Sequence, residues 1–330
     1  MIMQAFFKIA ACAALVVFPT GAASESDTQA LHDGMDAAFG TWRETHTVSG
    51  ALATGVLDAA GKWDVARLGD HGVAELASVS KSVTAVCVLE LVEARRLAWS
   101  DSVDSILGDA PDVTVAELVT HTSGLSPDAT QLAMALWLDQ TSADGRHFSQ
   151  EVLGLVNART PRTGTQGSYL YNNENYALLG LVIEAVTQQP FFDFCRSKLE
   201  LGPTFKPSVR TAGFQPWGGL VASPADYLGF LVDHFGPGSV IANDPLALPH
   251  VDVGDGAYYG MGMFFRRFGT SFNFWHFGLL CFPGRLNIGS YAVIWEGRAS
   301  AVATYDGCLD WDTKIALDND LSAAVYQREP

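Results

Sequence analysis

The chain has 330 residues, 48% of them hydrophobic and 17% charged, a composition that excludes a disordered chain and is ample for a substantial core. A formal net charge of −16 argues against a nucleic-acid partner, which needs a basic stripe, and against an anionic lipid face.

The first residues set the expected compartment. Lys8 is followed by the apolar run Ile9 to Phe18 and by the small-residue stretch Thr20-Gly21-Ala22-Ala23-Ser24, which reads as a signal peptide over residues 1–23. A periplasmic or secreted protein is therefore expected, with no stable membrane insertion after cleavage. Cys12 lies too close to Lys8 to act as a lipoprotein acceptor.

From Asp27 to His46 the residues Leu31, Met35, Ala38, Phe39 and Trp42 recur at helical spacing and predict an amphipathic helix. Two strands follow, Val48 to Leu57 and Lys62 to Leu68, flanking Asp58-Ala59-Ala60-Gly61, where the glycine suits a hairpin turn. Ser80 to Arg96 predicts a helix with Ser78 at its mouth. Residues 96–214 favour helices joined by Gly, Pro, Ser and Thr loops, clearest at Asn175 to Thr187 and Phe191 to Leu199. After a helix at Pro224 to His234, apolar runs at Met261 to Phe268, Asn273 to Phe282, Ile288 to Glu296 and Ala299 to Thr304 predict a β-meander. A short helix at Asp318 to Gln327 closes the chain.

The fold class is thus α+β. An antiparallel sheet flanked by helices is built from about 24–95 and 215–330, and a mainly helical subdomain is inserted at about 96–214.

Beyond the leader the cysteines are Cys87, Cys195, Cys281 and Cys308. Their spacing forms no metal cluster and leaves the connectivity open. Cys281 with Cys308 is the one pair brought forward by position, and buried free thiols are the preferred reading.

Three short motifs carry chemistry. In Ser78-Val79-Ser80-Lys81 the lysine lies one helical turn from the serine hydroxyl. A buried ammonium loses its proton more readily, so Lys81 can help to take the serine's proton, and free N–H groups at a helix mouth favour developing negative charge. The competing reading is a serine that merely opens a helix: about 0.4 such matches are expected by chance. In Tyr171-Asn172-Asn173 the phenol can share a proton with a lysine, and a nearby amide can bind both that lysine and a substrate carbonyl; a polar helix cap is the bland alternative. His-x-Gly occurs three times, at His32, His234 and His276. Only His276-Phe277-Gly278 lies inside an apolar strand, where a glycine lets a substrate approach the backbone; a satisfied core histidine competes. The three motifs in this order have about one chance in a hundred of arising at random.

Together these residues resemble the serine β-lactamase-like superfamily: class C β-lactamases, related D-alanyl-D-alanine peptidases and family VIII carboxylesterases. Further likenesses are Leu89-Glu90-Leu91-Val92-Glu93, His121-Thr122-Ser123-Gly124-Leu125, Tyr169 to Gly180 and Gly218-Gly219-Leu220. The resemblance implies that Ser78 attacks a carbonyl, Lys81 and Tyr171 act together as general base, and Asn173 orients substrate. It places His276 where relatives have lysine or histidine, and forms an oxyanion hole from the backbone N–H groups of Ser78 and Leu279, with Gly278 beside it. It leaves open which of Lys81 and Tyr171 takes the proton. His121-Thr122-Ser123-Gly124 resembles a structural turn and is assigned no chemistry.

Phe277 stands where the family usually has a small hydroxyl residue, and Leu279-Leu280-Cys281 is bulkier than the common continuation. Carboxylate recognition is therefore expected to be weakened, favouring ester or amide substrates with apolar acyl groups over a β-lactam or D-Ala peptide. The expected protein is a serine hydrolase without cofactor or metal, acting on a small-molecule or peptide acyl substrate. The alternative is a catalytically inactive binding protein of the cell envelope. An α/β-hydrolase is disfavoured by the lack of a Gly-x-Ser-x-Gly elbow, and a metallohydrolase by the lack of histidines at ligand spacing.

Overall fold

The computed structural model describes residues 25–69, 72–142, 144–159 and 163–326. The expected signal peptide and Cys12 lie outside them. In chain order the elements are α1 (Glu25–His46), β1 (Gly50–Leu57), β2 (Trp63–Gly69), β3 (Ala74–Glu75), a 3₁₀ turn (Ala77–Val79), α2 (Ser80–Glu93), α3 (Val103–Leu107), α4 (Val115–Val119), α5 (Thr130–Trp137), α6 (Ser149–Ala158), α7 (Asn173–Thr187) and α8 (Phe191–Lys198). Then come β4 (Lys206–Pro207), a 3₁₀ turn (Ala212–Phe214), β5 (Leu220–Ala222), α9 (Pro224–Phe235), α10 (Val240–Asn243), β6 (Val251–Gly254), β7 (Ala257–Gly260), β8 (Met263–Phe268), β9 (Ser271–Phe282), β10 (Leu286–Trp295), β11 (Ala299–Asp306) and α11 (Trp311–Tyr326).

The main sheet has eight antiparallel strands in the order β2-β1-β11-β10-β9-β8-β7-β6. The N-terminal hairpin is thus zipped onto the C-terminal meander through β1 and β11, from Gly50↔Tyr305 to Val56↔Ala299. Its turn follows from its residues: Asp58 Oδ1 accepts from the N–H groups of Ala60 and Lys62, and Gly61 takes φ of 76°.

Strand alternation sorts the side chains into two layers. Tyr291, Val293, Trp295, Ala301 and Ala303 face one layer, where α1 and α11 contribute Met35, Phe39, Trp42, Leu317 and Leu321. Ala292, Ile294 and Val302 face the other, against α2, α9 and the helices between 103 and 198. Burial on both faces explains why these strands read as continuous apolar runs.

Two expectations need correction. The last helix begins at Trp311 instead of Asp318: Asp310 Oδ1 accepts from Thr313 N–H at 2.9 Å, and Trp42 Nε1–H donates to Thr313 O at 3.0 Å, which holds the extra turns. The cysteines are paired and are not free thiols: Cys87 with Cys195, tying α2 to α8, and Cys281 with Cys308, with Cα–Cα separations of 5.7 Å and 5.5 Å. Sequence reading had no access to the first pair because its halves lie 108 residues apart. Among the described residues no helix is long and apolar enough to cross a membrane.

The Cys87–Cys195 loop is long, so its closure removes much unfolded-chain entropy. The double variant Cys87→Ala/Cys195→Ala should lose about 3–5 kcal/mol of stability. Urea unfolding of oxidised wild type against the variant measures this difference.

Candidate active site

The local backbone places Ser78. Ala77 just before it takes φ of 49°, in the left-handed region that a residue with a Cβ rarely enters. Neighbouring strands hold this conformation: Leu76 N–H donates to Leu220 O at 2.9 Å, and Leu76 O accepts from Ser290 Oγ at 2.7 Å and from Val79 N–H at 3.2 Å. Ser78 therefore lies half-buried on the 3₁₀ turn that feeds α2, one step before the helix mouth expected for it. Gly278 was expected to let a substrate lie against the backbone. Its missing side chain also makes room for β10 and the serine's own turn, since a Cβ there would sit 2.1 Å from Ser290 Oγ, 2.6 Å from Leu76 O and 3.0 Å from Ala77 Cβ.

One turn deeper, Lys81 is fully buried. Its Nζ lies 3.2 Å from Ser78 Oγ, 2.8 Å from Asn173 Oδ1 and 2.7 Å from Trp217 O. Burial lowers its pKa to about 7, against an upward pull from the carboxylate of Asp128. Partner chemistry then decides how the amine is used. As an ammonium it donates to all three oxygens. As a neutral amine it keeps two N–H bonds, and two of its neighbours are carbonyl oxygens that can only accept. The lone pair is left for the Ser78 hydroxyl, the one partner that can become a donor.

Tyr171 comes from the loop before α7. Lys81 Nζ lies 5.0 Å from its ring centroid. Its hydroxyl is buried and closes no hydrogen bond of good geometry. Burial raises the phenol's pKa, and the nearby Ser78 hydroxyl works in the opposite direction, so at neutral pH the group keeps its proton.

Asn173, the first residue of α7, makes the contact with the lysine that the sequence led us to expect. Its Oδ1 accepts from Lys81, while its Nδ2 donates to Thr130 Oγ1 at 3.1 Å and lies 3.9 Å from Met134 Sδ. Its amide is thus engaged on both sides and holds Lys81 through Oδ1. Thr130 is in turn fixed by Asp128, whose Oδ1 accepts from Thr130 Oγ1 at 2.7 Å and whose Oδ2 accepts from Asn173 N–H at 3.0 Å. Sequence reading missed both Asp128 and Thr130. The cap pattern Asp-x-Thr at the start of α5 was the available signal.

His276 is buried on β9. Its Nδ1 must carry the proton, because it contacts Phe277 O at 2.7 Å, which leaves Nε2 an acceptor without a hydrogen-bond partner. Burial, with the charge of Lys81, lowers its pKa to about 3, and the bond to Phe277 O opposes this. The ring is therefore neutral. Phe277 points to the opposite layer, where its ring stacks 4.4 Å from Tyr291. Its bulk does not enter the site.

β8 pairs with β9 only as far as Phe264↔Trp275, so from His276 onward one edge of β9 has no strand partner, and Leu279 lies on this stretch. β8 begins late because the preceding turn crosses α2: at Gly262 a Cβ would meet Ser82 Cα and N at 2.5 Å. At the far end Arg285, on the β9–β10 turn, donates to Ala135 O at 2.7 Å and Leu138 O at 3.1 Å, tying the end of α5 to the sheet. Leu170 and Leu279, next in sequence to Tyr171 and Gly278, are 45% and 36% exposed.

The chain is similar to known proteins over part of its length. A family model described as Beta-lactamase matches residues 51–200, which include Ser78, Lys81 and Tyr171. Penicillin-binding protein 4* of Bacillus subtilis (strain 168) is 33% identical over 131 residues, 38% of this chain and 28% of the relative. Protein flp of Staphylococcus aureus (strain COL) is 26% identical over 125 residues, 36% of this chain and 24% of the relative. The matched stretch thus spans only 28% and 24% of these curated relatives' own lengths. Among solved structures, a D-stereospecific amidohydrolase from Streptomyces sp. superposes with a TM-score of 0.68 at 18% identity, covering 92% of this chain and 100% of that one. A penicillin-binding protein from Bacillus halodurans gives 0.64 at 20% identity over 87% and 98% of the two chains. A D-amino acid amidase from Ochrobactrum anthropi SV3 gives 0.65 at 18% identity over 88% and 99%. These structures share the fold.

Two outcomes follow from the geometry. A base with a pKa of about 7 works only when deprotonated, so kcat/KM should fall with a one-proton slope below about pH 7 and level off above it. Initial rates at subsaturating ester across pH 5 to 9 read this directly. Gly278→Ala must push the serine's turn away from β9, and should cost at least about a hundredfold in turnover. Steady-state kinetics beside a circular-dichroism melt separate that loss from unfolding.

Proposed function

We propose that this chain, which belongs to the serine β-lactamase/transpeptidase-like superfamily, hydrolyses esters or amides through an acyl intermediate on Ser78. The observation that carries this reading is the three-way contact of Lys81 Nζ with Ser78 Oγ and two carbonyl oxygens.

In this mechanism neutral Lys81 accepts the Ser78 proton as Oγ bonds to the substrate carbonyl carbon. The negative charge forming on the carbonyl oxygen is taken up by the backbone N–H groups of Ser78 and of Leu279 on the free edge of β9. Tyr171, held as a phenol by its burial, is a poor base and a good relay: it passes a proton to the leaving oxygen or nitrogen and recovers one through Lys81. Water then attacks the acyl group with the same residues acting in reverse.

His276 narrows the substrate. A neutral ring beside the site carries no charge with which to neutralise a carboxylate. Exposed Leu170 and Leu279 add dispersion contacts for a hydrocarbon group. The preferred substrates are therefore esters or amides that are uncharged near the scissile bond, ahead of β-lactams and D-Ala peptides. Two proteins that share this fold, a D-stereospecific amidohydrolase and a D-amino acid amidase, keep amides within this class. The two disulfides favour an oxidising compartment, in keeping with a periplasmic or secreted protein.

Incubation with a fluorophosphonate should give one adduct, mapped to Ser78 by peptide mass spectrometry. Ser78→Ala should lose the adduct and retain less than about 1% of turnover while melting as wild type does. In a panel of p-nitrophenyl esters, nitrocefin and D-Ala-D-Ala peptides, the esters should turn over fastest. A folded protein with no adduct from any probe would support the silent binder instead.

A further inference from the structure

Tyr171 poses a positional problem. Its hydroxyl lies near that of Ser78 but closes no hydrogen bond of good geometry among the described residues, so its polar end alone does not fix its place beside Ser78 and Lys81. Something else must hold the ring, and the contacts around it converge on one residue that the functional reading left unused.

That residue is His121, fully buried at the end of α4. Its carbonyl accepts from Leu170 N–H at 2.9 Å, and its Nδ1 accepts from Asn172 N–H at 3.3 Å. The residues immediately before and after Tyr171 are thus both bonded to His121. Between them the imidazole lies 4.4 Å, centroid to centroid, from the phenol ring. A second donor fixes the imidazole itself: Asn175 Nδ2 approaches Nδ1 at 2.9 Å, and Asn175 Oδ1 accepts from Ser123 Oγ, which sets which end of the amide faces His121. With two donors on Nδ1, the proton of the neutral ring is on Nε2. His121 also holds φ of 56°, and this left-handed turn is what lets its carbonyl and its ring reach the same loop.

We infer that His121 is a positioning residue for Tyr171, acting on the proposed acyl-transfer reaction by clamping the peptide units on both sides of the phenol. It is not itself a base for Ser78, because Nδ1 is occupied and Nε2 is buried away from any hydrogen-bond partner. The inference rests on the functional reading above and adds a residue to it. It also gives the His121-Thr122-Ser123-Gly124 turn a role, with Ser123 orienting Asn175 and His121 orienting Tyr171.

A double-mutant cycle tests it, with p-nitrophenyl acetate as substrate and thermal unfolding measured for every variant. His121→Phe keeps a ring and removes the acceptor. His121→Asn keeps an acceptor at the position of Nδ1 and tolerates the left-handed backbone. His121→Phe should lower kcat by about ten- to a hundredfold with KM within about twofold, and His121→Asn should stay within about threefold of wild type. If His121 acts through Tyr171, then His121→Phe should cost little more once Tyr171→Phe is already present. Equal losses from His121→Phe with and without Tyr171, or an inactive but folded His121→Asn, overturn the inference and leave the acyl-serine reading intact. A fully active Tyr171→Phe removes Tyr171 from the chemistry and overturns the inference with it. A wild type that no fluorophosphonate labels overturns the functional reading first. Should His121→Phe fail to fold, His121→Gln takes its place in the cycle, since its longer side chain misplaces the acceptor.

Discussion

A buried amine held between two carbonyl oxygens sets the terms for the rest of this molecule. Lys81 is buried completely, and Asn173 Oδ1 and Trp217 O lie within 2.8 Å of its nitrogen. Desolvation makes the charge costly, and the two acceptors fix where the remaining N–H bonds point. The lone pair is then directed at one hydroxyl by exclusion. Little of this would survive a rotated amide, and the surrounding hydrogen bonds hold that amide in place. Asn173 is held by Thr130, Thr130 by Asp128, and the first turn of α2 by Tyr227, whose hydroxyl bonds to Val79 O at 2.9 Å.

The fold supplies that enclosure from parts distant in sequence. β9 presses on the serine's turn through Gly278, and the β7–β8 turn presses on Lys81 and Ser82 through Gly262. Each glycine marks a place where two backbones come too close for a Cβ. The helices from 103 to 198 close the other side, carrying Tyr171, Asn173 and the His121 clamp. The site therefore belongs to no single element. It lies where the unpaired edge of β9 meets the mouths of α2 and α7.

What could be read from the sequence follows from how local each constraint is. Ser78 and Lys81 were legible because a helical turn fixes their separation whatever the rest of the chain does. The strands of the meander were legible because burial on both faces leaves long apolar runs, and the hairpin because Asp58 and Gly61 specify its turn. Phe277 could have been read better: alternation from His276 places it on the opposite face, so its bulk was never a matter for the substrate, and the neutral state of His276 carries that argument instead. The Cys87–Cys195 pair, the packing role of Gly278 and the grip of His121 on both flanks of Tyr171 were not legible. Each depends on a contact between segments whose approach only the folded sheet and helical layer define.

The most direct test of this account is the titration of Lys81 itself. Lys8, Lys62, Lys81, Lys198, Lys206 and Lys314 are the lysines of the chain, few enough for ¹³C-lysine labelling to resolve each side-chain signal, with Lys81→Ala giving the assignment. The Lys81 resonance should titrate with a midpoint of about 7. A Lys81 that titrates at the ordinary lysine value of about 10.4 would contradict this, because an amine still fully protonated at neutral pH has no lone pair to offer Ser78.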